Sequence, residues 1–569
     1  MGYAGWLVVW THRLSHSDRM KTERVPQIVL GVGAGAVLAG AAALFVPGSL
    51  GGGGAPAPAP GAVARAVSAA HTGAQASLPE LAALIGDRET WLRAHPRDDA
   101  SWAVLGTAYV ERGVRSGDTA SYVRAEKALK RSLGLLPAGK GNVDAQLGMG
   151  ALANARGDFA AARKWGEAVR NHTPRRWQAY PVLIDAYSGL GDYVSAGRAM
   201  ERLRALRAGA PALSRAALVY RDKGWREDAS ALAYDAVALA TTPAEKAACL
   251  ARLGDLAWER GEPAEALASY DPALRLVPGH APSLAGRARA LAALGRTDEA
   301  LRDYGAALEA LPLPQYALEA GELYESLGLD GDAHTQYEML RARATEAGTH
   351  GVNGALVLAR YETDHGSPHS AVRRLRAEWA KGHRSVHVAD ALGWALYRTG
   401  RAEEALPYAR RATEQGLRSA LFAYHRGQIE RELGQWGPAR RHIAEALRLN
   451  PDFSPLLAPA ARRALAALGE PPEGGPKDVY GSGSGSGGDT PRSGASRAGS
   501  PPPRDPERQE QARKPRRPGG AAAPSASPSA ADARGPASGS ASAPAPPSAS
   551  AHEAAPASAS ASASAGSRR

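Results

Sequence analysis

From about Asp99 to Phe453 the chain runs through short stretches of helical period, each apolar on one face and broken by polar turns. Apolar residues at that spacing predict paired amphipathic helices. A glycine marks the middle of each pair: Gly113, Gly157, Gly191, Gly224, Gly261, Gly295, Gly328, Gly366, Gly400 and Gly434. The steps between them are 44, 34, 33, 37, 34, 33, 38, 34 and 34 residues. Five residues after almost every one stands an alanine: Ala162, Ala196, Ala229, Ala266, Ala300, Ala333, Ala371, Ala405 and Ala439. In the first pair Ala125 takes that place after an insertion of about seven residues, which accounts for the long first step. The glycine supplies a left-handed cap to the first helix of a pair. The alanine sits where the second helix crosses the first, and a proline such as Pro137, Pro174, Pro278, Pro312 or Pro451 stops the second helix. One such pair cannot bury its apolar face, but ten stacked in order make a continuous core.

The ends of this array read as caps. Ser77-Leu78-Pro79 opens a helix running through Trp91-Leu92 to His95-Pro96, and Ser454-Pro455 opens a last helix through Leu468.

One unit reads LGDLAWERGEPAEALASYDPALRLVP from Leu253 to Pro278, and another LGWALYRTGRAEEALPYARRA from Leu392 to Ala412; the first unit carries Trp102, Leu105, Gly106 and Tyr109. Trp, Leu-Gly, Tyr, Gly, Ala, an aromatic, Ala and Pro at these offsets resemble the tetratricopeptide repeat (TPR) family. The units at Gly224 and Gly366 depart from the pattern, one lacking the Leu-Gly pair and the closing Pro, the other the Tyr. The resemblance implies an all-α solenoid of about ten repeats whose first helices line a concave groove for a protein or peptide partner. The positions it assigns to the groove are Asp185, Arg221, Asp255, Trp258, Arg289, Glu322, Glu325, Arg360, Trp394, Tyr397, Tyr424 and Arg431. Aromatic and arginine side chains of this kind dominate interface energies. The aromatics Trp394, Tyr397 and Tyr424 form the expected anchor in the last two repeats, with packing between repeats as the competing role for Trp258 and Trp394. The Lys and Asn of the family's chaperone-tail clamp are replaced by Ala, Leu, Pro, Asp or Arg.

The flanks are of another kind. Residues 1–26 form a basic N-terminal segment. Residues 27–46, QIVLGVGAGAVLAGAAALFV, carry no charge. As a helix they span about 30 Å, the hydrocarbon thickness of a bilayer. Arg13, Arg19, Lys21 and Arg24 precede them, which predicts a single-pass membrane helix with a cytoplasmic N-terminus and extracytoplasmic repeats. A cleaved secretory signal with cleavage near Ala55–Ala57 has the same order of regions and would give a secreted protein. Residues 47–76 read as a Gly/Ala/Pro-rich linker and 77–468 as the solenoid with its caps. Residues 469–569, rich in Ser, Ala, Pro and Gly, read as a disordered tail.

Composition narrows the function. Apolar residues make up 44% of the 569 positions but aromatics only 6%, so the core is built from Leu, Ala and Val. The net charge is +12, yet Arg is interleaved with Glu and Asp throughout, unlike the stripe of a nucleic-acid binder. A single cysteine, Cys249, leaves no intramolecular disulfide and no thiolate metal site. No phosphate loop, nucleophile elbow or zinc-protease motif occurs. His365 and His369 lie before a helix whose far end carries His383 and His387, about 15 Å away at 1.5 Å per residue, too far for one metal site. The expectation is a membrane-tethered, non-catalytic scaffold without cofactor, nucleic-acid or small-molecule ligand. The alternative is the regulatory part of a larger enzyme or signalling system.

Overall fold

A computed structural model describes residues 61–72 and 76–470. The expected membrane segment 27–46 and the tail from 471 onward lie outside the described residues. Among those described, every regular element is helical, and none of the helices is long and apolar enough to cross a membrane.

Two helices precede the repeats, α1 (Ala62–Thr72) and α2 (Leu78–Ala94). Helix α1 corrects the expected 47–76 linker: its AVARAVSAAHT sequence is a good helix former, and Val63, Ala66, Val67 and Ala69 lie on the first apolar cluster. Helix α2 begins with a reciprocal cap, in which the Glu80 amide donates to the Ser77 hydroxyl and the Ser77 amide to the Glu80 carboxylate.

Ten helical hairpins follow. They are α3 (Asp99–Ser116) with α4 (Ala120–Leu135), α5 (Val143–Ala155) with α6 (Phe159–His172), and α7 (Ala179–Leu190) with α8 (Tyr193–Leu206). Next come α9 (Ala210–Asp222) with α10 (Arg226–Leu239), α11 (Pro243–Glu259) with α12 (Pro263–Leu276), and α13 (Ala281–Ala293) with α14 (Thr297–Ala310). The last four are α15 (Pro314–Ser326) with α16 (Asp330–Thr349), α17 (Ala355–His365) with α18 (Pro368–Ala380), α19 (Val386–Arg398) with α20 (Ala402–Glu414), and α21 (Ala420–Glu432) with α22 (Trp436–Leu449). Helix α23 (Leu457–Ala467) closes the array, with Ser454 capping its first turn by accepting from the Leu457 amide at 3.2 Å.

The crossing alanines Ala125, Ala162, Ala196, Ala229, Ala266, Ala300, Ala333, Ala371, Ala405 and Ala439 are all 3% exposed or less. Two glycines differ from expectation. Gly113 lies within α3, where the Tyr122 ring fills its missing side-chain space, and the left-handed residue ending that helix is Gly117 (φ 71). Gly366 has φ −146, so α17 ends without a left-handed cap. Cys249 is buried on α11 among Ala210 and Ala236, and burial pushes its thiol up to about 11.

The stack closes on itself. Each of the first five hairpin turns lies against the loop that follows the hairpin five further on. The Asn353 amide donates to the Arg156 carbonyl at 2.8 Å, and the Val386 amide to the Tyr193 hydroxyl, 193 residues away, at 3.0 Å. The Asn450 side-chain amide donates to the Trp258 carbonyl, 192 residues away, at 2.8 Å. Main chains touch along this seam: a side chain on Gly191 would collide with the Arg384 carbonyl, and one on Gly224 with the Gly416 carbonyl. About five hairpins therefore complete one turn of a superhelix whose successive turns are in contact.

Candidate functional site: the inner wall of the solenoid

The first helices α7, α9, α11, α13, α15 and α17 carry a row of charged residues along the inside of the superhelix that the seam closes. Neighbouring first helices are joined by ion pairs along it. Arg215 donates to Asp185 at 2.9 Å. Arg221 pairs with Asp222 at 2.7 Å and Glu259 at 3.4 Å. Asp255 accepts from the Tyr270 hydroxyl at 2.9 Å and from Arg289 at 3.3 Å, while Arg289 also faces Glu319 at 3.9 Å. Further on, His365 lies 2.9 Å from Glu325 and 3.7 Å from Glu322.

The neighbouring helices shape the titration of the wall. Burial raises the carboxyls of Asp185, Glu259 and Glu322 above the ordinary value although cations face them. Burial opposes the charge on Arg289 as well, but Glu319, Tyr270 and Asp255 outweigh it and hold the guanidinium charged. His365 behaves similarly, its burial outweighed by Glu322 and Glu325 so that its affinity for a proton rises. His387 goes the other way: burial, with Arg360 and Arg221 nearby, lowers it to about 3.

At the C-terminal end the wall widens into a cavity of about 320 Å³. Trp258, Arg289, Glu319, Glu322, Arg360 and Trp394 line it from the first helices, and Phe453, Ala458 and Arg462 from the closing segment. Among the described residues no acid lies within ion-pairing distance of Arg360, which leaves its guanidinium uncommitted beside the cavity.

Of the sequence-predicted residues, Asp185, Arg221, Asp255, Arg289, Glu322 and Glu325 lie in this ion-pair network, and Trp258, Arg289, Glu322, Arg360 and Trp394 line the cavity. Two of the three expected anchor aromatics are buried, and Tyr397 is half-buried. Trp394 is 6% and Tyr424 4% exposed. The Trp394 ring stacks at 4.1 Å on His425, and its indole N–H donates to Asp364 at 3.0 Å. Tyr397 stacks on Trp394 at 4.9 Å, and Tyr424 packs at 5.6 Å against Phe453. Helix α23 lays Ala461, Ala464 and Leu465 over the same cluster. The competing role, packing between repeats, therefore describes Trp394, while Trp258 is half-buried beside Ala257 and Tyr270 and still reaches the cavity. Arg431 is half-buried near Tyr424.

Sequence reasoning missed Arg215, Glu259, Glu319, Asp364, Asp390 and His425. His425 is 5% exposed and its Nδ1 lies 3.0 Å from Asp390. A signal existed: Asp364 follows Arg360 by one helical turn, and Asp390 precedes Trp394 by one.

A family model described as "Tetratricopeptide repeat" matches residues 251–313 and 391–452. No curated protein matches the chain. Among solved structures, a tetratricopeptide repeat protein from Parabacteroides merdae is 20% identical, covering 46% of this chain and 98% of its own, at a TM-score of 0.29. The human IFIT1 dimer with PPP-AAAA is 16% identical, covering 61% and 81%, at 0.37. The Cut9-Hcn1 hetero-tetramer of the APC/C is 13% identical, covering 65% and 76%, at 0.35. Superpositions this loose carry no argument about what this chain binds.

Proposed function

Since the chain is a tetratricopeptide repeat protein, a family of protein-interaction scaffolds, we propose that it holds an extended segment of a partner protein inside the superhelix and performs no chemistry of its own. The supporting observation is the enclosed inner wall, where most acids and bases are already paired with each other while Arg360 and half-buried Trp258 face a cavity of about 320 Å³. Such a wall reads charge order on a partner, giving orientation and selectivity more than raw affinity. With Trp394 and Tyr424 buried under α23 and Tyr397 half-buried, the reading moves the main anchor to Trp258 and Arg360. We further propose that residues 27–46 tether the chain to the cell membrane, with the repeats outside the cytoplasm.

A photoreactive residue at Ala292, which lines the cavity, is the test, with Val194 on the outside, 70% exposed, as the control position. In intact cells the inner position is expected to capture one partner reproducibly, and Arg360→Ala to reduce that capture. Equal capture from both positions, or no effect of Arg360→Ala, overturns the inner-wall reading. For the tether, protease added to spheroplasts should remove the tail from 469 onward; full protection refutes the topology, and repeats recovered in the medium favour the secreted alternative.

A further inference from the structure

The seam divides the hairpin turns into two sets. The first-turn glycines Gly117, Gly157, Gly191, Gly224 and Gly261 are all covered by chain from the following superhelical turn. The same residue in later hairpins, at Gly295, Gly328, Gly400 and Gly434, meets nothing within 4 Å. Their backbone is of one kind, with φ between 69 and 80 in Gly157 through Gly434 at these caps, so the uncovered edge has the shape that elsewhere in the chain receives a loop. It also carries exposed apolar side chains. Beside the open glycines stand Leu294, Leu327 and Leu329, exposed at 45%, 42% and 43%, and Trp436 at 61%.

At the opposite end the complementary half is open. The loops that press on glycine turns follow the sixth to tenth hairpins. The equivalent loops of the first hairpins contain Gly141, which meets nothing within 4 Å, and Gly209, which meets only its own Pro211. Among the described residues, one molecule thus carries a row of uncovered turns at its C-terminal end and, at its N-terminal end, loops whose Gly141 and Gly209 are likewise uncovered. Inside the same molecule these two kinds of edge bind each other.

We infer that a second copy of this chain docks head to tail on the open edge, its first loops seated on the turns at Gly295, Gly328, Gly400 and Gly434, so that the superhelix continues from one molecule into the next. The interface is heterologous: one copy uses its turns and the other its loops. A contact of that type does not close on itself, and it grows into chains as concentration rises. Main-chain contact gives it register, and the exposed leucines and Trp436 supply apolar area.

Sedimentation of the full-length chain in a mild detergent tests the inference. The weight-average mass should rise steadily with concentration and not level off at twice the monomer. Leu327→Glu with Leu329→Glu, on an exposed turn where folding does not depend on them, should abolish the rise at an unchanged circular-dichroism spectrum. A photoreactive residue at position 329 should form adducts with the loops of the first five hairpins of another copy. A monomer at all concentrations, association unaltered by the double variant, a mass that stops at a dimer, or adducts confined to residues 469–569 each overturns it.

Discussion

Tyr270 allows the fold to be tested by one substitution made at two places with opposite expected signs. Its ring is fully buried between α11 and α13, filling the side-chain space of both Gly254 and Gly286, and its hydroxyl is held by Asp255 at 2.9 Å. A methyl at Gly254 would stand 2.5 Å from Cε1 and 2.7 Å from Cζ of that ring. Ordinary carbon contacts are about 3.5–4.0 Å, so the ring would have to retreat by about 1 Å. It cannot retreat toward Gly286, where the phenol already occupies the methyl's place. Gly254→Ala therefore gains about 1 kcal/mol of helix propensity. It loses about 1–3 kcal/mol to overpacking and about 1 kcal/mol as the Asp255 hydrogen bond stretches. The net is a loss of about 1–3 kcal/mol. Gly305, in the interior of α14, is exposed and meets nothing within 4 Å, so Gly305→Ala should stabilise by about 0.5–1 kcal/mol. Urea titrations give the global difference, read as a shift in midpoint at constant slope, and amide exchange in α11 and α13 gives the local one. If Gly254→Ala stabilises the protein as much as Gly305→Ala does, the close approach of α11 to α13 across Tyr270 is wrong.

The seam should respond to a single side chain: Asn450, 4% exposed, donates to the Trp258 carbonyl and accepts from the Asp452 amide at 3.0 Å. Asn450→Ala leaves both groups unpaired and should cost about 1–3 kcal/mol, with faster amide exchange at residues 450–453; unchanged stability and exchange refute the seam. Acid should also loosen the inner wall through His387, whose pKa of about 3 lies below the ordinary 6.5. The unfolded chain then takes up the proton first, so stability falls as pH drops from about 6.5 toward 3, by at most about 2 kcal/mol at pH 5. Channel water reaching the half-buried ring reduces this. His365, raised by Glu322 and Glu325 against its burial, acts in the opposite sense: its contribution is complete below about 6.5 and is lost as pH rises through its folded value. His387→Phe keeps the edge contact with Phe422 and should flatten the acid side of the profile; an equal loss between pH 8 and pH 5 in the variant refutes the assignment.

Most of the helical architecture is legible in the sequence because its signals are local. A glycine cap, an alanine crossing and a closing proline act within one hairpin, and each hairpin packs on its neighbours, so a period of about 34 residues carries the stack. Gly113 misled for a local reason too. The insertion in the first repeat lengthens α3, so the residue in register became a helix-interior glycine against Tyr122 while Gly117 took over the turn. Helix α1 was hidden by an Ala-rich composition that suits a linker and a helix equally, and only its packing on α2 decides between them.

The interior could not be read in the same way, since it depends on what closes the superhelix. In an open groove Trp394, Tyr397 and Tyr424 would face a partner, and that is where their register puts them. Here the small residues at the crossings let the hairpins approach closely enough for the turn to complete in about five repeats, so that the loop after α22 meets the end of α11. Helix α23 then has an apolar cluster within reach and covers it. No periodicity reports the curvature of a stack, because curvature sums small rotations over many interfaces. The paired positions Arg215–Asp185, Arg289–Asp255 and His425–Asp390 nevertheless lie on consecutive first helices, about one repeat apart. Opposite charges recurring at one repeat's spacing on the groove side thus indicate that neighbouring first helices lie close enough to pair. Such closeness favours tight curvature, and tight curvature leaves the partner an enclosed wall in place of an open cleft.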